Sequence, residues 1–274
     1  MTLEQLFQQC PDKYILSEAG GFSQSDLILK KDTEVDEKLC SKIIEFYNLN
    51  KQGIPLAYLT SKRSFYRDVF YVEKGVLIPQ PDTETLVEET VKTALKIKKE
   101  EISILDLCAG TGCIGISVAK ELAPHFKGIR LHLSDISNTA FECFSKNADE
   151  LIKEKNIEVS KHIGNLFENF KTEKFDIIVS NPPYIPSDTI STLSEEVKNE
   201  PVLALDGGKD GLDFYRAIAL KAKNFLSCSS FLLMEIGYDQ GKTVPAVLRE
   251  NGYLDIEVIK DLSGNDRVVK CLYK

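Results

Sequence analysis

Asn181-Pro182-Pro183-Tyr184 is the segment whose residue types point most directly to a reaction. It follows residues 175–180, FDIIVS, an apolar run that is typical of a buried strand. The two prolines stiffen the backbone and remove two N–H donors, so the Asn181 side chain and the Pro182 carbonyl remain as acceptors. A planar –NH2 group can donate one N–H to each acceptor, and the aromatic face of Tyr184 can stack on it. The segment predicts a site for an amide or an amino group on a base; a plain loop is the alternative without chemistry.

An amide nitrogen needs such help to react, because its lone pair is delocalised into the carbonyl group. Two acceptors on its N–H groups raise the electron density on nitrogen and orient it toward an electrophile. Positioning of this kind contributes up to about 7–11 kcal/mol. The proton can leave after a methyl group has been transferred, so the chemistry requires no strong base. No histidine lies near the motif in the sequence, in agreement with this interpretation.

A second motif, DLCAGTG at residues 106–112, lies where an apolar strand gives way to a helix. Glycines allow the backbone to approach a ligand closely, and a helix N-terminus offers free N–H groups. Asp135 closes the next strand, where its carboxylate can accept hydrogen bonds from both hydroxyls of a ribose. Because ligands of open α/β sheets bind at these carboxyl ends, the two features predict a nucleoside-bearing cofactor.

The glycine spacing leaves two cofactors open. Gly110, Gly112 and Gly115 satisfy G-x-G-x-x-G, the dinucleotide fingerprint, but the match alone is weak, and a tight turn would also need small residues. The acid at the strand end in D-x-C-A-G-T-G is typical of methyltransferases, and a dehydrogenase has no use for the segment 181–184. These features favour S-adenosyl-L-methionine over NAD.

The hydrophobic pattern divides the chain into an N-terminal helical domain (1–62), a β-hairpin linker (63–81) and an α/β domain (82–274). Asp82 is the predicted N-cap of a helix that runs to about residue 99. The hairpin is predicted from alternating aromatic and apolar residues between 65 and 78. Helices in the first domain are predicted at 2–10, near 12–19 and at 36–51.

Strands and helices alternate after residue 101, which predicts a mostly parallel sheet covered by helices on both faces. The last two strands are close in sequence with no helix between them, so the final strand is predicted to be antiparallel. The predicted strands are 102–107, 129–134, 157–162, 175–180, 230–236, 254–259 and 267–273, and the predicted helices are 112–123, 138–153, 212–225 and 240–251.

Composition narrows the class of protein. The 274 residues include 34 Lys+Arg and 42 Asp+Glu, a net charge of −8 that argues against broad nucleic-acid binding. The 7 cysteines form no C-x-x-C pair and the 3 histidines have no ligand-like spacing, so neither a disulfide framework nor a metal site is expected. No apolar run approaches the roughly 20 residues of a membrane span, and the N-terminus does not have the pattern of a signal peptide. A cytoplasmic protein is expected.

Several segments together resemble the PrmC/HemK family, the protein-(glutamine-N5) methyltransferases that act on peptide chain release factors. The N-P-P-Y motif alone is shared with adenine-N6 and guanine-N2 methyltransferases, whereas I-P-x-P-x-T-E combined with E-P, A-L and G-G-x-D-G is much more selective. The resemblance runs from about residue 53 onward, over GIPLAYLT at 53–60, VLIPQPDTE at 76–84, VSNPPYI at 179–185, E-P at 200–201, A-L at 204–205, G-G-x-D-G at 207–211 and E-I-G at 235–237.

The resemblance implies a seven-stranded, mostly parallel, Rossmann-like (class I) methyltransferase domain behind a small helical domain that docks the substrate (1–62). The implied substrate is the glutamine of the Gly-Gly-Gln motif in class 1 release factors, and the implied cofactor is S-adenosyl-L-methionine. Neither a membrane nor direct nucleic-acid contact is implied. The implied site comprises Cys108, Ala109, Gly110, Thr111 and Gly112 around the methionine part of the cofactor, Asp135 on its ribose, Leu166 near its adenine, Asn181 touching both cofactor and substrate, and Pro182, Pro183 and Tyr184 on the glutamine amide, with Asn181, Pro182 and Tyr184 as catalytic residues.

Three positions depart from the family pattern. Gln80 stands where the family usually has Arg, Asn165 where it usually has Asp, and Ser61 where it usually has Gly. The alternatives to a protein methyltransferase are a nucleic-acid amino methyltransferase, a cofactor-binding module without catalysis, and a dehydrogenase. The first would need a basic insert, the second does not explain Asn181 and Tyr184, and the third has no hydride site in the sequence.

Overall fold

Short helices with well-defined caps form the N-terminal part of the chain. The computed structural model describes residues 1–274, which divide into two units, the first comprising Met1–Lys62 with Ser194–Asn199. Asp12 and Asp36 cap two of its helices by accepting hydrogen bonds from backbone N–H groups of the first turn. The helices of this part are α1 (Leu3–Gln9), α2 (Lys13–Gly20), α3 (Asp26–Leu29), α4 (Glu37–Lys51) and α5 (Leu56–Thr60).

The apolar faces of these helices form a core of their own, separate from that of the second unit. Leu6, Leu16 and Ile43 are completely buried in it. The segment Ser194–Asn199 belongs to the same unit although it is distant in sequence, because the Asn199 side chain donates to the Gly53 carbonyl at 2.9 Å. The sequence pattern did not predict this addition.

The second unit, Arg63–Leu193 with Glu200–Lys274, is built on a seven-stranded sheet. A two-stranded hairpin of β1 (Lys62–Phe65) and β2 (Asp68–Tyr71) precedes it. The strands of the sheet are β3 (Glu101–Leu107), β4 (Gly128–Asp135), β5 (Ile157–Ile163), β6 (Phe175–Ser180), β7 (Leu226–Glu235), β8 (Leu254–Lys260) and β9 (Asp266–Tyr273). The helices of this unit are α6 (Glu84–Ala94), α7 (Cys113–Leu122), α8 (Asn138–Leu151), α10 (Val202–Leu205), α11 (Asp213–Ala222) and α12 (Thr243–Glu250). The short helix α9 (Glu195–Lys198) belongs to the first unit.

The strand order is β5-β4-β3-β6-β7-β9-β8, and only β9 runs against its neighbours. The predicted fold class and the predicted antiparallel final strand are therefore confirmed. The central strands β3 and β6 are buried on both faces, as parallel strands between two helical layers must be. Helices α6, α7 and α8 contribute to the core on one face, and α11 and α12 to the core on the other.

Three predictions between residues 76 and 99 were wrong. Asp82 does not cap a helix, because Pro81–Thr83 form a 3-10 turn and the Asp82 carboxylate pairs with Arg267 at 3.1 Å. Helix α6 ends at Ala94 rather than near residue 99, since the chain must turn into β3. Residues 76–78 form no strand, and the Ile78 N–H donates to the buried Glu200 carboxylate at 2.9 Å.

None of the helices combines the length and the apolar character that crossing a bilayer requires.

Ser61 ends α5 in the left-handed conformation, with φ of 55°. This backbone geometry costs a residue with a Cβ atom about 1–2 kcal/mol, part of which glycine recovers despite its greater freedom in the unfolded chain. Ser61→Gly should therefore raise the free energy of unfolding by about 0.5 kcal/mol, measured by urea denaturation. Ser41→Gly, the same change inside α4, should lower the free energy of unfolding. Equal destabilisation by both variants would contradict the interpretation.

Candidate active site

A cavity of about 250 Å³ opens at the carboxyl ends of the central strands. It lies where β3 and β6 are neighbours while the chain leaves them toward opposite edges of the sheet. This is the switch point at which open α/β sheets bind ligands. Loops after β3, β4, β5 and β6 form its wall, and residues 75–80 with Thr83 form another part of the wall.

The glycine-rich loop after β3 lines the cavity with small residues, Cys108, Ala109, Gly110 and Thr111. Cys108, Gly110 and Gly112 have φ values of 60°, 56° and 76°, a region that glycine adopts readily and cysteine rarely. The Ala109 N–H donates to the Ser134 carbonyl at 3.0 Å, which ties the loop to the end of β4. A Cβ on Gly112 would lie 2.9 Å from the Phe144 Cβ, so this glycine permits close packing beneath the loop.

Asp135 projects from the end of β4 beside the same loop. Its two carboxylate oxygens accept hydrogen bonds from the Gly110 N–H at 2.9 Å and the Ser137 N–H at 3.0 Å. Burial raises the pKa of Asp135, and these two N–H donors act against that shift. A carboxylate oxygen can accept more than one hydrogen bond, so the fixed side chain keeps acceptor capacity for a ligand hydroxyl.

The loop after β5 also lines the cavity. Leu166 is buried, lines the cavity and has φ of 52°, a conformation that a branched side chain rarely adopts. Asn165 also lines the cavity but is exposed, and its backbone N–H donates to Glu168 at 3.1 Å. Gln80, which stands where the family usually has Arg, also lines the cavity. It is exposed, and its side-chain amide donates to the Ile78 carbonyl at 3.2 Å.

Asn181 follows β6 directly and lines the same cavity as the glycine-rich loop. The strand end is fixed because the Ser180 hydroxyl donates to the Leu107 carbonyl of β3 at 2.6 Å. The Asn181 side-chain NH2 donates to the hydroxyl of Thr83 at 3.4 Å. Tyr184 turns its hydroxyl inward to the buried Glu235 carboxylate at 3.5 Å, and burial with that nearby charge raises the pKa of Tyr184.

Two glycines and a glutamine hold the segment after Asn181 in place. A Cβ on Gly207 would come within 2.7 Å of the Tyr184 Cα, so only glycine permits this approach. The Gln240 side chain donates to the Tyr184 and Gly211 carbonyls, both at 3.2 Å. The motif G-G-x-D-G at 207–211 and Gln240 therefore both support the segment 181–184.

The structure brings most of the predicted site residues to one cavity. Gly112, Pro182 and Tyr184 are not part of its lining; Pro182 is buried and Tyr184 is half-buried beside Glu235. Residues that line the cavity and that the sequence did not single out include Thr83, Leu203 and Phe214. The predicted site residues on the cavity wall are Cys108, Ala109, Gly110, Thr111, Asp135, Leu166, Asn181 and Pro183.

Comparison with known proteins agrees with this geometry. The Methyltransferase small domain family model matches residues 82–201. A release factor glutamine methyltransferase of Clostridium acetobutylicum is 39% identical over 89% of this chain and 84% of its own length. The chain belongs to the release factor glutamine methyltransferase family. A second member, from Agrobacterium fabrum, is 38% identical over 94% of this chain and 88% of its own length.

The fold extends to more distant methyltransferases. The 16S rRNA N2 G1207 methyltransferase of T. thermophilus, solved with AdoMet and guanosine, superposes with a TM-score of 0.52. The match covers 78% of this chain and 50% of the other at 15% identity. An identity this low shows a shared fold, whereas the family relationship follows from the relatives above.

Two buried carboxyl groups of this protein, Asp106 and Glu235, each have one oxygen atom without a hydrogen-bond partner. Asp106 at the end of β3 is fully buried, accepts one hydrogen bond from the Gly115 N–H at 2.8 Å and leaves its Oδ1 atom without a partner. Burial raises the pKa of Asp106 to about 7, and the nearby Asp135 adds to the shift. Burial likewise raises the pKa of Glu235 to about 7, although the Thr83 hydrogen bond and the charge of Arg267 lower it.

The raised pKa of Asp106 predicts how stability depends on pH. An unfolded aspartate titrates near 3.9, so between about pH 4 and 7 the folded state holds more protons than the unfolded state. The free energy of unfolding should therefore fall as pH rises through this range, by up to about 1.4 kcal/mol per pH unit for this group. In Asp106→Asn the free energy of unfolding should decrease less with pH than in the wild type, as measured by denaturant unfolding between pH 5 and 7.5. Ser117→Ala, a buried polar deletion in α7, serves as the control and should keep the wild-type slope.

Proposed function

We propose that this protein transfers a methyl group from S-adenosyl-L-methionine to the side-chain amide nitrogen (N5) of the glutamine in the Gly-Gly-Gln motif of a peptide chain release factor. The observation that carries the proposal is that the glycine-rich loop, Asp135 and Asn181 all line one cavity. The identity of the substrate rests on the names of the relatives from Clostridium acetobutylicum and Agrobacterium fabrum. A substrate that works in translation termination would place the protein in the cytoplasm.

The cofactor wall suits S-adenosyl-L-methionine. Residues 108–112 would hold the methionine part, because Cys108, Ala109, Gly110 and Thr111 line the cavity and none of them has a bulky side chain. Asp135 would accept hydrogen bonds from the ribose hydroxyls, and Leu166 would pack against the adenine. When bound, the cofactor supplies a methyl group attached to a positively charged sulfur, and an aligned nucleophile can displace the sulfur from that methyl carbon.

The substrate wall prepares a weak nucleophile. The Asn181 carbonyl oxygen and the Pro182 carbonyl oxygen would each accept one N–H of the glutamine amide, and the Tyr184 ring would hold the amide plane. These contacts stop rotation of the –NH2 group and direct its lone pair toward the methyl carbon. The methyl group would pass to this nitrogen, with the electron pair of the carbon–sulfur bond left on sulfur. The nitrogen then loses one proton to solvent.

Radiolabelled methyl transfer tests the proposal. The purified protein should label a release factor and should not label the same factor with its Gly-Gly-Gln glutamine changed to alanine. Label on neither protein, with S-adenosyl-L-methionine bound, would overturn the proposed substrate and direct the search to nucleic acids.

Asn181→Ala removes an acceptor at the reacting nitrogen. We expect methyl transfer to fall by about 100-fold or more, the effect of removing one aligned polar group from a reaction centre, with an unchanged circular dichroism spectrum. Asn251→Ala, the same substitution at the end of α12 and away from the cavity, is the matched control. Turnover near that of the wild type in Asn181→Ala would refute the role of Asn181.

Asp135→Ala tests the cofactor wall separately. Loss of hydrogen bonds to a charged acceptor costs about 1.5–3 kcal/mol, so the Kd for S-adenosyl-L-methionine should rise roughly 10- to 100-fold in isothermal titration calorimetry. Asp149→Ala, on the exposed face of α8, should bind the cofactor as the wild type does. An unchanged Kd in Asp135→Ala would remove the ribose assignment.

A further inference from the structure

The Asn147 side chain of α8 is only 1% exposed, and both N–H groups of its amide are used in contacts with backbone. The NH2 group donates to the Thr111 carbonyl at 2.9 Å and to the Tyr71 carbonyl at 3.0 Å, and the amide oxygen accepts from the Tyr71 N–H at 2.7 Å. Because a carbonyl only accepts and a backbone N–H only donates, the reversed amide would lose all three hydrogen bonds. The orientation of this amide is therefore fixed.

The backbone groups that Asn147 contacts belong to two segments that reach the cavity. Thr111 is part of the glycine-rich loop and lines the cavity itself. Tyr71 ends β2, shortly before the segment 75–80, which also lines the cavity. A Cβ on Gly110 would lie 3.8 Å from Val76 Cγ1, so the two segments are within contact distance of each other. One side chain of α8, which is not itself part of the cavity lining, therefore joins both segments.

The glycine-rich loop needs such support because its backbone has an uncommon conformation. Cys108 has φ of 60°, and a residue with a Cβ atom keeps such a geometry only where its surroundings fix it. The Gly110 N–H donates to the Asp135 carboxylate at 2.9 Å, which holds the loop from the end of β4. Asn147 holds the same loop at Thr111 from α8, so the loop is fixed from two elements.

We propose that Asn147 is a positioning residue for S-adenosyl-L-methionine, which keeps the glycine-rich loop and the segment 75–80 in the arrangement that binds the cofactor. The inference rests on the proposed function and adds to it a residue outside the cavity lining. Without the three hydrogen bonds, the loop would hold its binding conformation for only a fraction of the time, and the Kd for the cofactor would rise by the inverse of that fraction. Saturating cofactor would restore the conformation, so kcat should change little.

Asn147→Asp and Asn147→Ser test the inference. The aspartate keeps the size of the side chain and the oxygen that accepts from the Tyr71 N–H, but its carboxylate has no N–H for the two carbonyls. The serine is too short to reach them and adds no charge. In both variants the Kd for S-adenosyl-L-methionine should rise roughly 5- to 30-fold in isothermal titration calorimetry, the effect of losing one or two hydrogen bonds. The kcat at saturating cofactor should stay within about threefold of the wild-type value.

Asn156 offers a matched control at the other end of the sheet. Its side-chain NH2 also donates to two backbone carbonyls, those of Ala123 at 2.9 Å and Phe126 at 2.8 Å, and it does not line the cavity. Asn156→Asp and Asn156→Ser should lower the free energy of unfolding, while the Kd for the cofactor stays within about twofold of the wild-type value. An unchanged Kd in both Asn147 variants would refute the inference. An equal rise of the Kd in the Asn156 variants would refute it too, because a general loss of stability would then explain both.

Amide hydrogen exchange without cofactor separates the inference from the proposed function. The Ala109 N–H donates to the Ser134 carbonyl and the Gly112 N–H to the Ala109 carbonyl. In Asn147→Ser both N–H groups should exchange about fivefold faster or more than in the wild type, because the loop opens more often. In Asn156→Ser they should exchange at the wild-type rate. Unchanged exchange in Asn147→Ser would overturn the inference, whatever the cofactor. A wild-type protein that binds no S-adenosyl-L-methionine would refute the proposed function, while the exchange rates would still decide the role of Asn147.

Discussion

The pairing of β3 with β6 is the constraint on which the rest of the site depends. Leu107 and Ser180 are register partners, and the Ser180 hydroxyl donates to the Leu107 carbonyl at 2.6 Å. From these adjacent ends the chain diverges, on one side into the glycine-rich loop and on the other into Asn181. The divergence opens the cavity, and the glycine-rich loop and Asn181 both line it. Methyl transfer between two bound molecules needs both to be held close together, because the reacting atoms must be in line.

Buried polar contacts hold the segments that line the cavity. On the cofactor side, the Asp106 carboxylate accepts from the Gly115 N–H and Asp135 accepts from Gly110. Near Asn181, the Tyr184 hydroxyl donates to Glu235 and the Asn181 NH2 donates to Thr83. Burial of a carboxylate with few partners costs free energy, and the raised pKa values of Asp106 and Glu235 are the sign of that cost. Such polar groups give a cavity its fixed geometry where an apolar core would not.

Much of this arrangement follows from short-range pattern. The apolar runs of β3 and β6 predict buried parallel strands, and the motif that follows each run lies at a carboxyl end by necessity. The positions of the glycine-rich loop, Asp135 and Asn181 on one edge were therefore predictable from alternation alone. Prediction was wrong at Asp82, where a good N-cap residue pairs with Arg267, since a distant ion pair can outweigh a local preference.

The sequence by itself determined the α/β class, the edge that carries the site and the chemistry of its acceptors, because periodicity and residue type are local properties. Only the tertiary structure decided that Thr83 and Glu235 stand behind Asn181 and Tyr184, since these residues come from a 3-10 turn and the end of β7. The same holds for Ser194–Asn199, which joins the helical unit through Asn199 and Gly53. Contacts between distant segments arise from strand order and packing, and no local pattern records them.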